Sequence, residues 1–404
     1  MSELLTRTAR KYRSSGLKAT LAEIWRYVYV RTFLRPHVVP KLIDSTEVIP
    51  LDVLPEHAKS VERHWTLPEE NELPSVPNKT WIGDNDFGTI QTHKLSKPYV
   101  CELTETFICG PPGLAITSDG MIIQDTVRNV NKAVGHTING IGLRQTRKLL
   151  SSDSYRANLA RRVERIPVAC SLLPVVTNYY HWTAECLPRL RGLERYRAET
   201  GQEPTILLPA DPPSWMIESL QLLGYEPTDW LEIGPEVVLA DRLVVPRFPQ
   251  PTPSECKWIH QRAVQSLPNN TQYDEERVYV PRPNATRRRV VNEREVLNVF
   301  SEFGFEPYVL EEMTVQEQVA LFHGAEVVAG PHGAGLVNAI YGQTPLIVEL
   351  FGEDKKTTYY RLAELIGSDY VHLEGENHNI DIELGTDRLR ETLEDSFTRN
   401  DNQH

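Results

Sequence analysis

Two rhythms of apolar positions divide the chain. From about residue 165 onward, short runs such as Thr205-Ile206-Leu207-Leu208 and Arg242-Leu243-Val244-Val245 predict buried strands. Helically spaced apolar residues over 214–223 lie between them. The same alternation returns after the polar stretch 266–276, which contains Pro268-Asn269-Asn270 and reads as a boundary. There, Arg277-Val278-Tyr279-Val280 predicts a strand and 293–303 a helix. Pro307-Tyr308-Val309-Leu310, a helix over 315–322 and Glu326-Val327-Val328-Ala329 follow. A glycine-rich turn, a further helix and the strand Leu346-Ile347-Val348-Glu349-Leu350 complete the unit. Helices alternating with strands imply parallel sheets covered by helices. The fold expected is therefore α/β, with two Rossmann-like domains facing a cleft.

The remaining segments have other patterns. Leu17, Leu21, Ile24 and Val28 fall on one helical stripe between Gly16 and Pro36, with Lys18 and Arg26 off it. This predicts an amphipathic helix in 1–35, which either docks on the protein's own core or lies on a membrane surface. Proline and acidic residues over 36–80 suggest an extended linker. Short strand-like runs with turn residues between them, including Thr106-Phe107-Ile108 and Met121-Ile122-Ile123, occupy 80–165. The expected layout is a basic segment 1–35, a linker 36–80, a first α/β domain 81–265, a second α/β domain 275–375 and an acidic tail or helix 376–404.

Composition narrows the function. With 404 residues, 40% hydrophobic and 24% charged, the chain is globular and long enough for about two domains. Its formal charge of −12 argues against a nucleic-acid partner. Residues 1–35 nevertheless carry eight Lys/Arg against Glu3 and Glu23. Such a cluster could hold the helix to anionic lipid, giving peripheral membrane contact. The five cysteines form no C-x-x-C pair and are expected to be reduced thiols. The longest apolar candidate for a membrane span, 166–176, is short and interrupted by Pro167 and Pro174, so a cytoplasmic location is expected.

Ala329-Gly330-Pro331-His332-Gly333-Ala334-Gly335-Leu336 carries the strongest chemical signal. A strand ends, small residues turn, and a helix resumes, so free backbone N–H groups face whatever occupies the loop. Glycines there would admit a diphosphate close to the backbone, although such glycines also serve close packing alone. The dinucleotide pattern G-x-G-x-x-G is absent, which argues against an oxidoreductase. Arg282, Arg287, Arg288, Arg289 and Asn292 form a second candidate anion site, with Arg282 just past a strand end. Glu349 ends the next strand, where a carboxylate could accept both ribose hydroxyls. His181 and Glu185, four residues apart, would share a helix face as base and orienting partner. Asp84-Asn85-Asp86 has the D-x-D form of some metal sites but lies in a glycine-bounded turn, so no metal is expected.

These motifs in series resemble the family 61 glycosyltransferases. The carriers are Val278-Tyr279-Val280-Pro281-Arg282, Arg288-Arg289, Asn292-Glu293, Gly304-Phe305-Glu306, Glu317-Gln318, Gly330 to Asn338 and Val348-Glu349-Leu350. Upstream stand Asn178-Tyr179-Tyr180-His181-Trp182, Glu185 and Leu187-Pro188-Arg189. The resemblance implies a GT-B fold, inverting transfer and a donor such as a UDP-sugar with no obligatory metal cofactor. It makes Arg282, Arg288, His332, Gly333 and Gly335 donor contacts, to which Ala334, Asn338 and Glu349 are added from the same motifs. Pro281 departs from the family, which usually has serine there. Inversion requires a base from across the cleft, and Glu185 is preferred over His181 because a carboxylate stays ionised more reliably at working pH. The expected partners are a nucleotide-sugar donor and a glycan, glycolipid or lipid-linked acceptor. A non-catalytic glycan-binding protein and a dinucleotide-dependent oxidoreductase or epimerase are the alternatives.

Overall fold

The computed structural model describes residues 36–50, 61–67, 75–77, 92–174, 176–247, 250–268, 275–352 and 355–401. The predicted amphipathic helix in 1–35 and the Asp84-Asn85-Asp86 turn lie outside them. The chain is α/β and built on two main sheets.

The first sheet has nine strands and two characters. Arg165–Ser171 pairs in parallel with both Val237–Pro246 and Thr205–Pro209, and Trp230–Ile233 continues the parallel half. Beyond Val237–Pro246 the pairing turns antiparallel through Tyr99–Cys109, Leu114–Ile116 and Ile122–Ile123. Tyr99–Cys109 is buried along most of its length, which suits a central strand covered on both faces.

Two segments differ from expectation. Residues 36–80, read as an extended linker, instead supply the helix Val39–Asp44 and three strands, of which Ser75–Pro77 pairs with Thr92–Lys94 outside the main sheets. Val48–Ile49 pairs with Ile122–Ile123, and Val61–Thr66 pairs with Tyr99–Cys109. Residues 130–159, read among short strands, form the helices Val130–Ile141, Leu143–Ser151 and Asp153–Leu159. Ala133, Val134, Thr137 and Ile138 make the buried stripe of the first, and Asn129 caps it by accepting from the Lys132 amide at 2.8 Å. Gly140, which looks like a turn residue, packs on Pro235 instead.

The second sheet is all parallel. Its spatial order is Glu306–Pro307, Arg277–Tyr279, Val327–Pro331, Leu346–Phe351, Tyr370–Glu374. Its first strand in sequence therefore lies between the second and third, and the strand order reverses between Arg277–Tyr279 and Val327–Pro331. Ligands in open parallel sheets bind outside the carboxyl ends of strands at such a reversal. After Glu306–Pro307, the helix Val315–Gly324 starts with a capping box between Thr314 and Glu317. The segment after the glycine loop, expected as an ordinary helix, is the tighter 3₁₀ helix Ala334–Tyr341. The C-terminal segment folds as the hairpin Glu376–His378/Asp381–Glu383 and the helix Thr386–Asp401, whose Leu389 and Leu393 enter the second sheet's core.

One apolar cluster joins the units. It runs from Trp182, Leu190, Met216 and Ile259 on the first to Val319, Leu336, Tyr341 and Leu362 on the second. Tyr179 Oη donates to Asn338 Oδ1 across this junction at 2.8 Å, and the Val315 amide donates to Glu218 at 2.8 Å.

Candidate functional site

A cavity of about 790 Å³ opens between the two sheets and takes residues from both. From the first unit come Arg128, Asn178, Tyr180, His181, Ala184 and Glu185. From the second come the loop after Arg277–Tyr279, the His332-Gly333-Ala334 turn and one face of the helix Thr358–Ile366. Six cationic side chains line it (Arg128, Arg282, Arg287, Arg288, Lys356 and Arg361) against the carboxylates Glu185 and Glu311. A low-dielectric cleft lined mostly by one sign of charge attracts the other, so the charge of this cavity suits an anionic ligand.

The cationic wall sits at the strand reversal. Arg282 follows the first strand and Nη1 donates to the His332 carbonyl, 2.8 Å away, which ties together the loops of two neighbouring strands. The Arg282 side chain crosses Gly333 so closely that a β-carbon there would overlap the guanidinium. Gly330 and Gly335 are glycines for another reason. A β-carbon would meet the Val280 carbonyl oxygen at 2.7 Å in the first case and Leu310 at 2.8 Å in the second. These glycines let loop pack on strand, and Gly335 does not line the cavity. Burial lowers the Arg282 pKa, with Tyr359 and Glu311 opposing that shift. Its Nε is buried with no hydrogen-bond partner in the protein.

Arg288 also lines the cavity, from a left-handed backbone at φ 57° that a residue with a side chain adopts only where its surroundings enforce it. The C-terminal hairpin does so. The Arg288 amide donates to the Ile380 carbonyl at 2.7 Å, Val291 to Ile382 at 2.9 Å, and Ile382 back to Arg289 at 2.8 Å. Arg289 and Asn292, predicted in the anion cluster, point to this lacing instead. Arg289 binds Asp381 through Nε at 3.1 Å and Nη2 at 2.6 Å, and Asn292 pairs with the Leu384 backbone.

His332 lines the cavity, and its Nδ1 forms a short hydrogen bond with Glu349 Oε1. Glu349 is 0% exposed, and its other oxygen accepts from Tyr370 Oη at 2.6 Å. Both oxygens are thus occupied away from the cavity, so the expected ribose contact gives way to an orienting role behind His332. Burial pushes the Glu349 carboxyl up, opposed by its bonds to His332 and Tyr370 and by Arg288. Asn338, expected at the donor, is likewise buried. It accepts from Tyr179 and donates to Gln318 Oε1 at 2.7 Å, holding the two units together.

Opposite the cationic wall, Asn178 caps the helical turn Tyr179–His181 by accepting from the Tyr180 amide at 3.0 Å. The chain then widens into a π-helical turn over Trp182–Cys186, a distortion frequent at functional sites. His181 Nδ1 lies 3.0 Å from Glu185 Oε2, as the spacing predicts. Arg128 also joins them, in a short ion pair with Glu185 Oε1 and 2.9 Å from His181 Nδ1. Glu185 is therefore bound on both oxygens.

Several lining groups escaped sequence reading. Arg128 stands alone in its motif and meets Glu185 only through the fold. Tyr359 donates to the Gly333 carbonyl in a short bond and packs edge-on against Tyr180, 5.8 Å between rings. Arg361 extends from the same helix beside Tyr180. The five cysteines are buried and free, as expected, and burial pushes the Cys101, Cys109 and Cys186 thiols up to about 12. Among the described residues no three His, Cys, Asp or Glu side chains gather as a metal site requires, and no helix is long and apolar enough to cross a membrane.

The Glycosyltransferase 61 family model matches residues 179–348, from the helical turn that carries His181 to the last residue before Glu349. A search of curated proteins gives no match. The matched segment holds part of each wall of the cavity, the His181/Glu185 turn and the loops bearing Arg282, Arg288 and His332, while Arg128 and the helix Thr358–Ile366 lie outside it. Over this segment the chain is similar to glycosyltransferase family 61, and the match supports a glycosyltransferase enzyme.

Proposed function

We propose that the protein is an inverting, GT-B-type transferase that moves a sugar from a nucleoside diphosphate, with UDP the first choice, to a hydroxyl of a surface glycan, glycolipid or lipid-linked precursor. The observation that carries this reading is one cavity with an arginine-rich wall on one side and a histidine–carboxylate pair on the other. Arg282, Arg288 and the His332-Gly333-Ala334 turn would hold the diphosphate and stabilise the charge that grows on it as the glycosidic bond breaks. Fixed cations do this without a metal, so metal-independent transfer is part of the proposal.

The base must take the acceptor proton from the side opposite the leaving diphosphate. Glu185, the choice from sequence, has both oxygens engaged by Arg128 and His181. This favours the reverse assignment. His181 accepts the proton at Nε2, while Glu185 orients the ring through Nδ1. Replacing His181 by Ala should slow transfer by about 10²–10⁴ with nucleotide affinity nearly kept, and Glu185→Gln should slow it less. Release of UDP from UDP-sugars, followed in excess EDTA, is the measurement. Unchanged turnover in His181→Ala would reject the base, and loss of activity restored by manganese would reject metal independence.

A cytoplasmic enzyme with a lipid-linked acceptor would work at the membrane surface. Residues 1–35, with eight Lys/Arg against two acids, are the proposed contact. Full-length protein should sediment with anionic liposomes in a salt-sensitive way that a version lacking 1–35 does not. Equal sedimentation of the two would assign that segment to the protein's own core.

A further inference from the structure

The cavity holds more positive charge than a diphosphate needs, and the surplus lies on the wrong wall for one. Arg282, Arg287 and Arg288 belong to the loop after the first parallel strand, at the strand reversal. Arg361 stands apart from them on the helix Thr358–Ile366, and its surroundings are Tyr180, Arg128 and Glu185 from the first unit. Among the described residues no carboxylate lies within ion-pair distance of it. The nearby carboxylate, Glu185, is already bound by Arg128 on one oxygen and His181 on the other. The Arg361 Nε is buried without a hydrogen-bond partner. Burial lowers its pKa, and Arg128, a second cation, adds to that lowering while Tyr180 and Glu185 oppose it.

A half-buried guanidinium next to another cation is costly unless something anionic completes it. Its planar fork suits a carboxylate or phosphate held by two parallel hydrogen bonds. We infer that Arg361, with Arg128 behind it, forms a subsite for an anionic group on the acceptor, so that the enzyme extends acidic glycans or phosphate-bearing precursors in preference to neutral ones. The inference rests on reading the cavity as a transferase cleft. Its location beside the His181–Glu185 pair, away from the strand reversal, assigns the anion to the acceptor and not to the donor. The partly exposed Tyr180 ring alongside, which lines the cavity, offers a surface on which a sugar ring can pack.

The test is a calorimetric titration of UDP-saturated protein with D-glucuronate, D-glucose 6-phosphate and D-glucose. At least one acid should bind about tenfold or more tightly than glucose, the scale of a charged hydrogen-bonded contact. A preference confined to glucuronate identifies a carboxylate, and one confined to glucose 6-phosphate a phosphate. Arg361→Gln should erase the preference and Arg361→Lys, which keeps the charge without the fork, should retain only part of it, with UDP affinity similar in all three proteins. Acids and glucose binding alike to UDP-saturated wild type would overturn this inference and leave the transferase reading standing. Failure to bind any of UDP, GDP, CDP and ADP would remove both. If Arg361 instead discriminates UDP-glucuronate from UDP-glucose, with no acceptor preference, the assignment to the acceptor is wrong. Should Arg361→Gln fail to fold, the wild-type preference must itself fall as sodium chloride is raised, and a salt-independent preference would overturn the subsite.

Discussion

Gly333 and Arg282 are coupled through space. A β-carbon on Gly333 would force the guanidinium off the His332 carbonyl, so Gly333→Ala acts on nucleotide binding by moving Arg282. Arg282→Ala removes the same contact directly. Each substitution should weaken UDP binding by about tenfold or more, and the double variant should be little worse than either alone. Calorimetric titration of the three variants measures this, and additive losses would mean the two residues act separately. The sequence led to both residues and left two reasons for the glycine, a diphosphate lying on bare backbone or close packing, and the packing against Arg282 is what the fold displays. Glu349 and Asn338 were legible as polar residues within a pattern of strand and turn, yet a motif does not say which way a side chain faces. Glu349 turns inward to His332 and Tyr370, and Asn338 to Tyr179 and Gln318. Arg128 and Arg361 had no local signal, because what marks them is a neighbour far away in sequence.

Between elements, the arginine loop depends on the C-terminal hairpin. The backbone bonds from 288–292 to 380–384 fix Arg288 in its left-handed conformation, and the Arg289–Asp381 pair closes them. The Arg289 hydrogen bond holds the Asp381 carboxyl below its ordinary value. A depressed carboxylate pKa contributes order that is present above the ordinary value and lost as pH falls through the depressed one. Asp381→Asn removes that contribution at all pH. At neutral pH it should weaken UDP binding by up to about 10²-fold, the reach of a misplaced positioning group. The gap between wild type and variant should narrow in acid as the wild-type carboxyl protonates. Titration at several pH values checks this, and equal affinities at neutral pH would show that the hairpin is not needed. The parallel second sheet was readable because each strand and helix kept its own period. The segments 36–80 and 130–159 were not. Val48–Ile49 and Val61–Thr66 are short and sit among proline and acid, while Gly135, Asn139 and Gly140 imitate turns inside a helix that tertiary packing supports.

Over the whole molecule, the cavity exists because a half-parallel sheet and a fully parallel one share a layer of helices. That apolar layer runs unbroken from Trp182 to Leu362, so the units should melt together in a single transition. Sequence alternation implied two α/β units and residues on both walls, while the shared core and the cationic surplus arise only from contacts between segments far apart in the chain. Nucleotide bound at the strand reversal should raise that one transition. The central claim, that Arg282, Arg288 and the His332 turn hold a nucleoside diphosphate, is tested most directly by thermal shift with UDP, GDP, CDP and ADP on wild type and on Arg282→Ala/Arg288→Ala. A true ligand should stabilise wild type by about 2.7 kcal/mol at a hundredfold excess over its dissociation constant, and the double variant far less. No shift with any of the four nucleotides, or an equal shift in the double variant, would contradict the account.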